Sequence, residues 1–152
     1  SWFAWRGVRS EDQPLAEFVR FLIGFRRNHS VLRPPQFLRG TAMANGLKDL
    51  AWFTADGREV EERDWRNAGM RSIAYLLGAE PAAASLLCLL HAGDAPLAFR
   101  VPRLPVELKW RPAIDTGEPN GLSARPRLFS AEETFSLGPK SLVLLSAAGD
   151  EP

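Results

Sequence analysis

Cysteine occurs once in the 152 residues, tyrosine once, histidine twice and methionine twice, and the scarcities remove whole classes of chemistry. With Cys88 alone no intrachain disulfide can form, and its setting between Leu86, Leu87, Leu89 and Leu90 reads as a small buried hydrophobe. His29 and His91 lie far apart in the chain, and no H-E-x-x-H, C-x-x-C or other metal-ligand spacing occurs, so no metal site is expected. The sequence has no G-x-S-x-G elbow and no glycine-rich phosphate loop after a strand, which leaves serine-hydrolase and nucleotide-binding readings without support. Nothing approaches the ~20 apolar residues of a membrane span. The first residues also lack the charged and apolar stretches of a secretory signal. Charge excess is missing too: 19 Lys and Arg stand against 18 Asp and Glu, net +1, so neither nucleic acid nor an anionic membrane is an expected partner. A cytoplasmic setting fits the lone thiol.

What remains is ordinary globular composition, 45% hydrophobic and 24% charged. A chain of this size buries about 68–70% of its unfolded surface, enough for one core. The hydrophobic period changes once. Leu15, Phe18, Val19, Leu22, Ile23 and Phe25 follow the i, i+3, i+4, i+7 spacing of an amphipathic helix, predicted over 11–28 behind the polar starts Ser10, Glu11 and Asp12. Pro34-Pro35 blocks its continuation. Short apolar runs then recur at 36–38, 48–53, 72–77, 85–91, 97–101, 106–110, 134–137 and 141–145, with Asp56-Gly57, Gly93-Asp94 and Gly138-Pro139 expected as the turns of hairpins. The fold class this implies is mainly β: an antiparallel β-sandwich preceded by one amphipathic α-helix.

Two runs alternate strictly. Leu97, Phe99 and Val101 face away from Ala98 and Arg100, while Val106, Leu108 and Trp110 face away from Glu107, Lys109 and Arg111, as in half-buried strands. The continuously apolar runs 86–90 and 142–145 suit central strands covered on both faces. The polar stretch 115–127 reads as a mobile loop.

Candidate chemistry is thin. Glu59, Glu61, Glu62 and Asp64 are the tightest carboxylate cluster, and they read as a solvated face. A glycosidase needs two carboxylates held across one sugar bond, which closeness in sequence does not create. Asp49 and Asp115 read as structural, and His91 as a hydrogen-bonded residue ending an apolar strand. No catalytic, cofactor-binding or metal-ligating residue is assigned. Trp52, Trp65 and Trp110 are expected in core or interdomain contacts, and Trp2 and Trp5 at a domain rim.

The order of these features resembles the bacterial glycogen debranching enzymes and isoamylases of the alpha-amylase superfamily. Asp49, Trp52, Phe53, Asp56 and Gly57 match that family's D-x-x-W-h-x-x-D-G pattern, preceded by an F-x-x-G segment at 37–40 and followed by Asp64-Trp65 in place of its D-W pair. Upstream, Ser1, Trp2 and Trp5 resemble S-W-h-D-W, with Ala4 where Asp is commoner. Residues 21–33 resemble the last barrel helix, with Ser30 replacing a proline. Downstream, 86–102 resembles a strand and hairpin with His91 where Asn is commoner, Trp110 with Ile114-Asp115-Thr116 resembles W-x-x-x-h-D-T, and 140–146 resembles the closing strand.

The resemblance implies that residues 1–33 are the last helix of a (β/α)8 barrel and 34–152 a C-terminal β-sandwich. It also implies a parent that hydrolyses α-1,6 branches in glycogen or limit dextrin, without a cofactor, by an Asp nucleophile and a Glu acid/base. Those carboxylates lie on barrel strands outside these residues. The absent barrel would pack on the helix stripe Leu15, Phe18, Leu22 and Phe25. A glucan-binding module and a plain interaction domain are the alternatives.

Overall fold

The computed structural model describes residues 13–123 and 127–148. The expected Trp2, Trp5 and helix-start features at Ser10, Glu11 and Asp12 lie outside the described residues. Helix α1 spans Gln13–Asn28. Its C-terminal end is closed by side chains: Arg33 donates from Nε to the Arg26 carbonyl at 3.2 Å and from Nη2 to the Arg27 carbonyl at 2.9 Å. The His29 ring stacks on Phe25 at 3.9 Å, with Nδ1 2.8 Å from the Phe25 carbonyl, so Nδ1 carries the donated proton. Carbonyls that a helix end leaves orphaned thus find donors.

The strands are β1 (Leu50–Phe53), β2 (Ser72–Leu77), β3 (Leu86–His91), β4 (Leu97–Arg100), β5 (Lys109–Asp115), β6 (Thr134–Leu137) and β7 (Ser141–Ala148), with a one-turn helix α2 (Glu62–Trp65) between β1 and β2. A five-stranded sheet runs β1-β2-β3-β7-β5, all neighbours antiparallel, and β4 pairs with β6 in a second sheet. The apolar runs of β3 and β7 are therefore central, as their continuous hydrophobicity requires.

Between the sheets lie Leu47, Phe53, Leu76, Leu87, Leu89, Trp110, Val143 and Leu145, meeting Phe99, Phe135 and Leu137 from the smaller sheet. The opposite face of the large sheet carries Leu77, Leu86, Cys88, Ile114 and Leu144, covered by Phe18, Phe21, Leu22 and Phe25 of α1 together with Val31, Leu32 and Leu38. The helix stripe thus faces the sandwich: three of the four residues expected to await a barrel are already packed, and only Leu15 of that set is exposed.

Three local expectations are corrected. Residues 36–38 form no strand; the segment follows Pro34-Pro35, and Phe37 is 96% exposed. The run at 106–110 becomes a strand only at Lys109 and continues to Asp115. Its register shifts between Pro112 and Ile114, a break that an edge strand accommodates. The turns at Gly93-Asp94 and Gly138-Pro139 do not close hairpins: they carry the chain between the two sheets, whereas 54–58 does fold back, with Thr54 donating to the Arg58 carbonyl at 2.8 Å. In that turn Gly57 has φ +82°, and a Cβ there would meet the Arg100 carbonyl at 3.0 Å. Among the described residues no helix is long and apolar enough to cross a membrane.

Candidate functional site

The acidic cluster is a mounting for a tryptophan. Glu61 and Asp64 form a reciprocal capping box around α2, with the Glu61 amide donating to Asp64 Oδ2 at 2.8 Å. Arg58 grips the same carboxylate with both terminal nitrogens at 2.9 Å, a charge-assisted fork. That guanidinium, then the Glu61 amide, holds the Asp64 carboxyl down at about 2. Glu61 also pairs with Arg63, Glu62 with Arg66, and Glu59 with Lys48. The cluster is solvated but fully engaged, and its product is a fixed Trp65.

Trp65 is 53% exposed. Its ring stands edge-on to Trp52, with centroids 5.5 Å apart and planes at 79°. Trp52 in turn lies 5.4 Å from Tyr75, its direct cross-strand neighbour on β2. Trp52 and Tyr75 are half-buried. Burial pushes the Tyr75 hydroxyl above its usual range, and the neighbouring Cys88 thiol is pushed up to about 11 by burial, so that cysteine is inert at neutral pH. The three tryptophans downstream of the helix therefore divide: Trp110 is core, Trp52 is half covered, and Trp65 is presented to solvent.

The other expected residues take structural positions. Asp49 accepts from the Arg39 amide at 2.9 Å and the Thr41 amide at 3.0 Å, which holds its carboxyl below the usual pKa and pins the chain entering β1. Asp115 is buried at the end of β5 and accepts from the Gly117 amide at 2.9 Å. It opens a run of turns that closes with its own amide donating to the Gly121 carbonyl at 3.1 Å, and Gly121 sits against the Phe18 ring. The early part of the polar stretch 115–127 is thus tied to the sheet and to α1. His91 is buried, with Nδ1 2.7 Å from Ser72 Oγ and Nε2 2.7 Å from the Ala95 carbonyl. This places the proton on Nε2 and lets the serine hydroxyl donate to Nδ1. The pair bridges β2 and β3 at the mouth of an open groove of about 680 Å³, whose lining includes Ile73, Leu90 and Leu142. Among the described residues no group of three His, Cys, Asp or Glu side chains is arranged to hold a metal ion.

Two features escaped the sequence reading. One is Arg33 as the cap of α1, for which a cation just beyond the helix end was the available signal. The other is the exposure of Trp65, which no period in so short a helix reveals.

These elements define a helix-fronted antiparallel β-sandwich. No family model matches the chain. It is 30% identical over 158 aligned residues to a glycogen operon protein GlgX homologue of Mycobacterium bovis, covering 95% of this chain and 22% of that protein. An isoamylase of a Flavobacterium species is 25% identical, with 97% of this chain and 20% of that protein aligned. The solved structure of a type I pullulanase from Bacillus subtilis, complexed with maltose, superposes with a TM-score of 0.57 at 18% identity over 93% of this chain and 17% of that one, a likeness of fold. The chain is thus related to the bacterial glycogen debranching enzymes and isoamylases, and it spans about a fifth of the length of the curated relatives it matches.

Proposed function

We propose that residues 1–33 supply the last barrel helix and 34–152 the C-terminal sandwich of a cytoplasmic enzyme that hydrolyses α-1,6 branches in glycogen or limit dextrin. The observation that carries this reading is the similarity to GlgX and isoamylase proteins along nearly the whole chain. The role of these residues is to support: the sandwich closes one side of α1, and the ridge Leu15, Val19 and Ile23 left exposed on that helix is where the barrel packs. Cleavage then belongs to an Asp nucleophile and a Glu acid/base on barrel strands, flanking the scissile bond as retaining glycosidases require. The 152-residue chain alone is inactive.

Limit dextrin incubated with the purified chain should release no linear oligosaccharide. A longer protein containing it should release chains with free reducing ends. Release by the short chain sinks the claim of inactivity, and failure of the longer protein to cut branch points sinks the reading of the parent.

A further inference from the structure

Most exposed tryptophans are unremarkable, because a surface indole that merely packs on its neighbours needs no special mount. Trp65 has one. The turn of helix that carries it is only four residues long, far too short to be stable by propensity. It is held by the Glu61–Asp64 capping box and the two-pronged Arg58–Asp64 contact. Trp52 then braces the ring at 79°, and Tyr75 braces Trp52. The result is an exposed aromatic surface whose orientation is set before anything binds, which reduces the ordering cost of binding.

We propose that the Trp52–Trp65 corner contacts a curved chain of α-linked glucose units. A pyranose ring has an apolar C–H face bounded by hydroxyls. An indole takes the apolar face, and the charged side chains on the same turn, Glu62, Arg63 and Arg66, are exposed donors and acceptors for the hydroxyl rim. The angle between the rings selects the chain. Flat β-1,4 glucans lie on coplanar aromatic platforms, whereas α-1,4 chains curl, and successive units of a curled chain meet surfaces set at an angle. The corner therefore discriminates by shape, without a deep pocket. The inference rests on the glucan reading above and deepens it: the sandwich holds outer chains of the polymer away from the site of cleavage.

The test uses the 152-residue chain in native gels with and without glycogen. Glycogen should slow the wild type, and Trp65→Ala should weaken retention about fivefold, which corresponds to about 1 kcal/mol. Trp65→Phe should keep part of it, and Val19→Ser, on the exposed ridge of α1, should keep all. In NMR spectra the Trp65 indole N–H should shift on titration with maltoheptaose and stay still with cellohexaose, a readout independent of the variants' folding. Unslowed wild type, or equal shifts with both sugars, overturns the proposal. So does a Trp65 indole shielded from oxidation by N-bromosuccinimide in a longer protein without sugar, since the ring would then be an interdomain contact. Absence of glycogen retention leaves the proposed branch-cleaving parent standing, whereas retention by a longer protein that cuts no branches sinks that parent and leaves this site.

Discussion

The two faces of the five-stranded sheet are built from the same kinds of residue and finished differently. The inner face meets the β4–β6 sheet, and Phe53, Leu87, Leu89, Trp110, Val143 and Leu145 are sealed against Phe99 and Phe135. The outer face is finished by a single long helix and the short segment after it, and Phe18, Phe21, Leu22 and Phe25 of that helix all stay partly exposed. One helix is narrower than five strands. Ile73, Leu90 and Leu142 are left lining an open groove, and on the same sheet Trp52 stays half-buried beside an exposed Trp65. A face closed by a second sheet is thus a stability element complete in itself, while a face closed by one helix keeps surface for other molecules.

The sharpest way to break this comparison is to remove one large side chain from each face. Trp110→Ala should cost about 3–5 kcal/mol, since the ring is fully buried and the site cannot collapse around so large a void. Leu22→Ala should cost about 1–2 kcal/mol, because a partly exposed side chain surrenders less apolar area. Urea unfolding followed by fluorescence and by circular dichroism measures both, and equal costs would mean that the outer face is as closed as the inner. Gly121→Ala should cost more than an ordinary surface substitution and less than Trp110→Ala. A Cβ there lies 2.5 Å from the Phe18 ring and the residue has φ +66°, so the start of α1 must lift from the loop at about 1–3 kcal/mol.

How well each face can be read from sequence follows from the same difference. β2 and β6 are legible to the residue, β6 from its strict alternation, and β3 and β7 as central strands, because a sheet buried on both sides writes its burial as an unbroken apolar run. The helix was legible from its period. Its partner was not, because an apolar stripe reports that a surface is covered without reporting by what: Phe18, Leu22 and Phe25 look the same facing a barrel or facing Leu86 and Ile114. The strand at 106–110 was misplaced because alternation persists through an extended segment before pairing begins; Glu107 and Lys109 are exposed on either side of Leu108, yet pairing starts only at Lys109. At the candidate site the cap, the turn and the D-W pair were visible as residues, but the perpendicular setting of Trp65 on Trp52 depends on the β1–β2 pairing and the Arg58–Asp64 contact, which join positions that sequence shows only as neighbours in a charged run.

Smaller effects sharpen the account of the Trp65 mount. Asp64 titrates near 3.8 when unfolded and at about 2 when folded, so its contribution is complete above about pH 4 and is lost as pH falls toward 2. Asp64→Asn removes that contribution. The wild-type advantage in urea midpoint should therefore be steady at neutral pH, shrink between pH 4 and pH 2, and vanish below. An advantage that stays constant through this window would mean that the carboxylate's charge plays no part in holding α2.

The smallest effect on stability is expected on the free ridge of α1, where Leu15, Val19 and Ile23 are 64%, 44% and 49% exposed and recur every four residues. Replacing all three with serine should leave the urea midpoint almost unchanged, within about 0.5 kcal/mol per site, because these side chains surrender little buried area. Their effect is expected between molecules. A continuous apolar ridge on a helix already anchored to the sheet by its other side is a surface that a second copy can cover. Light scattering of the wild-type chain should show mass growing with concentration, and the triple serine variant should remain a monomer over the same range. A wild type that stays monomeric at high concentration would show that the ridge is too narrow to drive association, and the functional weight of the outer face would then rest on the Trp52–Trp65 corner.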